Sequence, residues 1–145
     1  LNFMKLTQYT DYSLRVLMYL AQQNKQSQIE EISNFYGISK NHLTKVVHQL
    51  VKLGYLKSIR GRNGGIILNQ SPNDINIGKL VRQTEDHFEL VECFNMETNT
   101  CPIALNCGLK SALNHALTEY LRTLDQYYLS DIIPKNTLKD TLYTL

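Results

Sequence analysis

The chain has 145 residues, of which 43% are hydrophobic and 19% charged, enough to build one compact domain or two small lobes sharing an interface. No apolar run approaches the roughly 18 to 20 residues that span a bilayer, and the start lacks a signal-peptide pattern, so the expected setting is the cytoplasm, away from membranes. The net charge of +2 hides a polarity, because residues 1–84 hold eleven Lys and Arg against four Asp and Glu, while residues 85–145 hold four against nine; the first part is the expected polyanion binder, although many folds carry one positive face by chance.

Leu1, Asn2 and Phe3 precede Met4, whose Met-Lys-Leu-Thr run reads like a natural start, and they are set aside from the fold. The first helix is expected to open at Thr10 or Asp11, since Tyr12, Val16, Tyr19 and Leu20 recur at helical spacing and Leu14, Leu17, Met18 and Ala21 widen the apolar face. Residues 22–28 are polar and read as a loop. Ile29–Tyr36 reads as a short helix with Ile29, Ile32, Phe35 and Tyr36 inward, and Gly37 supplies its C-terminal cap.

Ser39 is placed to cap a third helix, on which Leu43, Val46, Val47, Leu50 and Leu53 follow i, i+3, i+4 spacing until Gly54 stops it. Its opposite face carries Lys40, Asn41, Thr44, Lys45, His48 and Lys52, a set rich in hydrogen-bond donors. Helix, glycine turn, helix is the helix-turn-helix arrangement. Residues 55–59 and 66–68 are then β-like runs joined by Arg60-Gly-Arg-Asn-Gly-Gly, a hairpin whose tip offers Arg60 and Arg62 as its only long side chains. The two parts together make a winged helix.

A further short helix is expected at 74–84, and a long one from about Leu105, with Leu109, Leu113, Leu117, Tyr120, Leu121 and Leu124 in one stripe and Ala112 and Ala116 permitting close approach. A stripe this long in so small a chain calls for a partner, and a second copy gives a two-fold homodimer; packing on its own N-terminal lobe is the alternative. Pro134 breaks the tail from Ser130 into one or two short helices. The fold class is therefore mainly α with a small β wing. Its expected division is a DNA-binding winged helix at 1–84, a cysteine loop at 85–108, and a dimerisation helix with tail at 109–145.

In a winged helix the N-terminal residues of the recognition helix reach base edges in the major groove. Here these are Ser39, Lys40, Asn41, His42 and Lys45: Asn suits adenine, Lys suits guanine, and the Ser hydroxyl suits a phosphate. Arg60 and Arg62 on the wing suit a narrow minor groove. Any one of these residues is routine on a solvated surface, and His42 and His48 read more readily as surface or packing residues than as switches; the combination carries the signal. A two-fold dimer would meet half-sites about 34 Å or a multiple apart on a pseudo-palindromic duplex.

All three cysteines, Cys93, Cys101 and Cys107, fall within fifteen residues. The spacing lacks the paired knuckles of a structural zinc ribbon. An iron-sulfur cluster, zinc, a thiol switch and unliganded cysteines all remain open from spacing alone. Pro102 and Gly108, each directly after a cysteine, favour a bent backbone there.

The Met-Lys-Leu-Thr start with Tyr-Thr-Asp-Tyr-Ser-Leu-Arg, the Ile-Ser-Lys-Asn-His-Leu turn, the Arg-Gly-Arg-Asn-Gly-Gly wing and the three cysteines together resemble the iron-sulfur winged-helix transcriptional regulators of the IscR/NsrR kind. The resemblance covers residues 4–133 and is greatest to the nitric-oxide-sensing members. It implies a homodimeric repressor whose cluster, of the four-iron four-sulfur type, is held by Cys93, Cys101 and Cys107 and by an Asp of the other subunit, matched here by Asp11. Left to itself, Asp11 reads as a helix N-terminal acid that stabilises the macrodipole by about 1 kcal/mol. Arg15, one turn later, is placed to orient that carboxylate, and Glu85 matches another acidic position near the cluster. Members with a histidine ligand carry it three residues after the last cysteine; Lys110 stands there, which sets that variant aside.

Two rival readings follow from the same residues: a regulator answering iron, cluster supply or redox state, and a small iron-sulfur electron carrier or cluster carrier. A steep fall of DNA affinity with salt favours a regulator. An enzyme is not expected, because no phosphate loop or nucleophile triad is present and the four histidines are scattered.

Overall fold

A computed structural model describes residues 5–134; the expectations for residues 1–3 and for the tail beyond Pro134 lie outside them. Six α-helices and one two-stranded antiparallel sheet are described, in the order α1 Gln8–Gln23, α2 Ile29–Tyr36, α3 Lys40–Lys52, β1 Leu56–Ile59, β2 Gly65–Leu68, α4 Ile77–Thr84, α5 Gly108–Leu124 and α6 Leu129–Ile132. Short 3₁₀ turns occupy Glu92–Phe94 and Ala104–Asn106. Among the described residues no helix is long and apolar enough to cross a membrane.

Helix α1 opens earlier than its apolar face suggests. The Thr7 side chain accepts from the Thr10 N–H, so the helix starts at Gln8, and Asn24 ends it in the left-handed region at φ 49°. Helix α2 keeps its expected bounds, with Gly37 at φ 66° as the C-cap. The Ser39 side chain accepts from the His42 N–H and so starts α3 as its capping pattern predicts. Helix α4 opens at Ile77 rather than at residue 74, because Asn76 caps it by accepting from the Lys79 N–H and also forms a β-bridge with Tyr128.

The core gathers α1 (Val16, Leu17, Leu20), α2 (Ile32), α3 (Leu43, Val46, Val47, Leu50), the hairpin (Leu56, Ile66) and α4 (Ile77, Leu80, Val81). Leu129 of α6, fully buried, returns the chain to this same core. Strands β1 and β2 pair in the register Leu56↔Leu68 to Ile59↔Gly65. The loop before α2 braces them, since Ser27 and Ile66 exchange backbone hydrogen bonds at 3.0 and 2.9 Å. Gly65 is required there: a Cβ on it would lie 2.6 Å from the Ser27 carbonyl oxygen.

Helix α5 starts at Gly108 rather than near Leu105, because residues 104–106 wind into a 3₁₀ turn and Cys107 takes the N-cap position. None of its residues is buried. Of the expected stripe, Leu121 and Leu124 pack against the core, whereas Leu109 is 64% and Tyr120 46% exposed. Among the described residues, it is the last turn that is fastened to the core. Arg82 of α4 forms a two-pronged ion pair with Asp125, and Gly78 gives that aspartate room.

Candidate functional site

Ser39, Lys40, Asn41, His42, Lys45, Arg60 and Arg62 all stand exposed, on the start of α3 and on the hairpin tip. Local chemistry explains the arrangement. The apolar stripe of α3 turns inward, so the intervening positions must face solvent. At the tip, Gly61 has φ 111°, and a Cβ on Gly64 would meet the Ile59 carbonyl oxygen at 2.4 Å, so the turn excludes larger residues at both places. Gln26 and Gln28 donate from below to the Asn63 and Gly64 carbonyls, which fixes the tip that carries Arg60 and Arg62. His42 packs edge-on against Tyr12 with ring centroids 5.2 Å apart, the packing role its position suggested. Lys40 faces Glu30 at 3.8 Å.

Asp11 and Arg15 form a second constellation. Arg15 Nη2 lies 2.9 Å from Asp11 Oδ2, and its Nε donates to Oδ1 at 3.2 Å. The guanidinium sits 5.7 Å from the ring centres of both Tyr12 and Tyr36. Tyr36 donates its hydroxyl to the Arg15 carbonyl at 3.0 Å. Burial pushes that hydroxyl up to about 12, so it stays a donor throughout the neutral range. Two aromatic rings thus hold the guanidinium, whose fork of donors in turn holds a carboxylate that is 44% exposed, aimed and accessible at once.

Two contacts around this constellation were not read from the sequence. The buried Thr10 hydroxyl donates to the buried Thr84 hydroxyl at 2.9 Å, and Thr84 donates to the Leu80 carbonyl at 2.9 Å. Glu85 accepts from the Thr7 N–H at 2.7 Å. The start of α1 is therefore tied to the end of α4 at Thr7 and Thr10, the latter directly before Asp11. One signal for the threonine pair was present: Thr84 continues the Ile77, Leu80, Val81 stripe, and a polar residue on a buried stripe needs a partner. Glu85, expected beside a cluster, spends its described hydrogen bonds on Thr7.

The three cysteines are free thiols, Cys93 buried and Cys101 and Cys107 half-buried. Cys107 Sγ accepts from the Lys110 N–H at the start of α5, 3.5 Å away. Among the described residues no three His, Cys, Asp or Glu side chains of the one chain converge closely enough to hold a metal ion. Three soft sulfur donors on a short bent segment nonetheless have the chemistry that iron-sulfur ligation requires, and Asp11 stands apart from them on another element. Large apolar side chains lie exposed on and beside this segment, among them Met96, Ile103 at 63% and Leu105 at 83%.

The model of the Rrf2 family, described as an iron-dependent transcriptional regulator, matches residues 6–135. The HTH-type transcriptional regulator NsrR of Bacillus licheniformis is 59% identical over 132 residues, which is 90% of this chain and 92% of that protein. The protein of the same name from Bacillus subtilis is 55% identical, covering 90% of each. Among solved structures, T. potens IscR superposes with a TM-score of 0.68 at 26% identity, over 95% of this chain and 88% of that one. CymR, the global cysteine regulator of B. subtilis, superposes with a TM-score of 0.67 at 25% identity, over 90% and 97%.

Proposed function

The chain belongs to the Rrf2 family of transcriptional regulators, and on that premise we propose that it is a cytoplasmic homodimeric repressor that binds double-stranded DNA and senses nitric oxide through an iron-sulfur cluster. The observation that carries this reading is the placement of three free cysteines in one segment at the root of a helix with no buried residue. In this division residues 1–84 read DNA, 85–108 hold the cluster and 109–145 pair two copies; the role is regulatory rather than catalytic.

Cys93, Cys101 and Cys107 of one subunit, with Asp11 of the other, would hold the cluster, taken as the four-iron four-sulfur type. When bound, it supplies iron at which nitric oxide reacts. The chain's own residues do the rest. Asp11 contributes a hard carboxylate beside three soft sulfurs, so it is the weakest match for iron among the four donors. Arg15 competes for the same carboxylate and receives it when it is released. Because the Thr10–Thr84 and Thr7–Glu85 contacts tie the first turn of α1 to α4, and α1 packs on α3, a change at Asp11 bears on the element that presents Lys40, Asn41 and Lys45. That is a two-state element biased by a ligand.

Exposed Leu109 and Tyr120 of α5, with half-buried Leu113 and Leu117, supply the surface for a second copy, and burying them is favourable by roughly 25 cal/mol per Å² of apolar area. The test is the visible absorption of anaerobically purified protein, titrated with nitric oxide while DNA binding is followed on the same sample. A broad iron-sulfur band that collapses together with DNA affinity supports the reading. A colourless protein that resists cluster reconstitution yet binds DNA leaves a winged-helix regulator with a different signal.

A further inference from the structure

Glu92 and Thr100 each stand immediately before a cysteine, on the two arms of the segment that joins Cys93 to Cys101. Glu92 Oε1 accepts from both the backbone N–H and the hydroxyl of Thr100, each at 2.6 Å. A carboxylate accepting two donors makes charge-assisted bonds, stronger than neutral ones. At the end of the loop so closed, Asn99 brackets the cysteine two residues on: its Oδ1 accepts from the Cys101 N–H at 3.0 Å, and its Nδ2 donates to the Cys101 carbonyl at 3.3 Å. Asn95 Oδ1 accepts from the Glu97 N–H at 3.1 Å. The segment has little core of its own, since Cys93 and Ala104 are its buried residues, so these side-chain bonds rather than packing define its shape.

We propose that Glu92 is a positioning residue for the cluster: by clasping Thr100 it presents Cys93 and Cys101 from a loop already closed before any metal arrives. The proposal rests on the reading that these cysteines are cluster ligands. Its physical basis is entropy. A segment without regular structure loses conformational freedom when two of its residues are fixed on one ligand, and a clasp that closes it beforehand removes part of that cost from the binding step. Groups behind metal ligands act in this way, and their loss commonly costs ten- to a hundred-fold in metal affinity.

The experiment compares the full-length wild type with Glu92→Ala, Glu92→Gln, Thr100→Val and Glu97→Ala, the last a loss of the same charge in the same loop. Each is reconstituted with iron and sulfide without oxygen, and decay of the visible band under a chelator is timed. In parallel, the cluster-free proteins are alkylated with iodoacetamide and labelling of Cys101 is followed by mass spectrometry. Expected are cluster loss about tenfold faster in Glu92→Ala, a smaller acceleration in Thr100→Val, partial rescue in Glu92→Gln, and wild-type behaviour in Glu97→Ala. Cys101 labelling should quicken in the same order while thermal unfolding stays unchanged, which separates positioning from general stability. If Glu92→Ala loses its cluster and labels Cys101 at wild-type rates, or if Glu97→Ala matches it, the clasp has no such role. A wild type that takes up no iron and sulfide overturns the cluster reading, and this proposal with it.

Discussion

The N-terminal lobe and the α5 arm use similar residue types to opposite ends. Every helix from α1 to α4 contributes buried side chains to one core, whereas α5, with 17 residues the longest of the helices, buries none. Leu43 and Leu50 of α3 are fully buried, whereas no leucine of α5 is buried and Leu109 stands exposed. Amphipathic periodicity thus states that a face needs cover without stating what covers it. In the lobe the chain supplies the cover; along α5 the described residues do so for the last turn, through Leu121 and Leu124.

The largest expected effect tests that contrast directly. Leu43→Ala, at a fully buried site of α3, should lower unfolding free energy by about 2–5 kcal/mol in denaturant titration. Leu109→Ser, at a site 64% exposed, should leave the unfolding of the isolated chain unchanged and instead shift sedimentation toward the monomer. A Leu109→Ser protein that unfolds early without changing its association state would erase the distinction between the two regions.

Next in size is the division between reading and bracing on the DNA-facing side. Asn41→Ala should cost about 1–3 kcal/mol of affinity for an operator and relax its sequence preference at one position of each half-site. Arg60→Ala should weaken binding and flatten its salt dependence. Gly64→Val should weaken binding without removing any contacting side chain, because its Cβ would displace the Ile59 carbonyl and with it the tip. Binding isotherms at several salt concentrations check all three. Equal behaviour of Asn41→Ala on every sequence would place the recognition helix elsewhere.

A smaller effect is expected inside the lobe, where α1 is joined to α4. Thr10→Val removes the buried hydroxyl that donates to Thr84, leaving Thr84 still bonded to the Leu80 carbonyl. The loss should be about 1 kcal/mol of stability. If the threonine pair also transmits the state of Asp11, the variant should blunt the difference in DNA affinity between cluster-loaded and cluster-free protein by more than it lowers stability. A purely structural role would leave that difference intact.

These joints mark the limit of what the chain could disclose before folding. The bounds of α2, the Ser39 cap, the Gly37 turn and the hairpin were legible because each rests on neighbours: a cap three residues from its amide, or glycines where the backbone turns sharply. The i, i+4 pairing of Asp11 with Arg15 was legible for the same reason. The Thr10–Thr84 bond spans 74 positions and the Gln26 contact with the wing 37, distances over which spacing carries no signal. Leu129 belongs to the core although its helix has only four residues, too few to display a period. The opening of α5 lies later than its apolar pattern suggests, because Cys107 and the 3₁₀ turn before it interrupt a pattern that includes Leu105.

The weakest joint gives the last test, and pH supplies it. Arg82 hydrogen-bonds the Asp125 carboxylate and holds it below the usual carboxylate range. A group whose folded value is depressed contributes stability that is complete above its unfolded value and disappears as pH falls through the folded one. Both partners are well exposed, so solvent screening keeps the contribution small. Asp125→Asn should therefore be slightly less stable than wild type at pH 7, and the gap should close as the medium is acidified below the ordinary carboxylate range. The pair joins α4 to the last turn of α5, so the same substitution should loosen the base of the arm, seen as faster amide exchange at residues 121–125 with no change in α3. A stability gap that widens on acidification would mean that Arg82 is not what holds Asp125 charged, and the fastening of the arm to the lobe would then rest on Leu121 and Leu124 and on the bond from the Asn76 side chain to the Asp125 carbonyl.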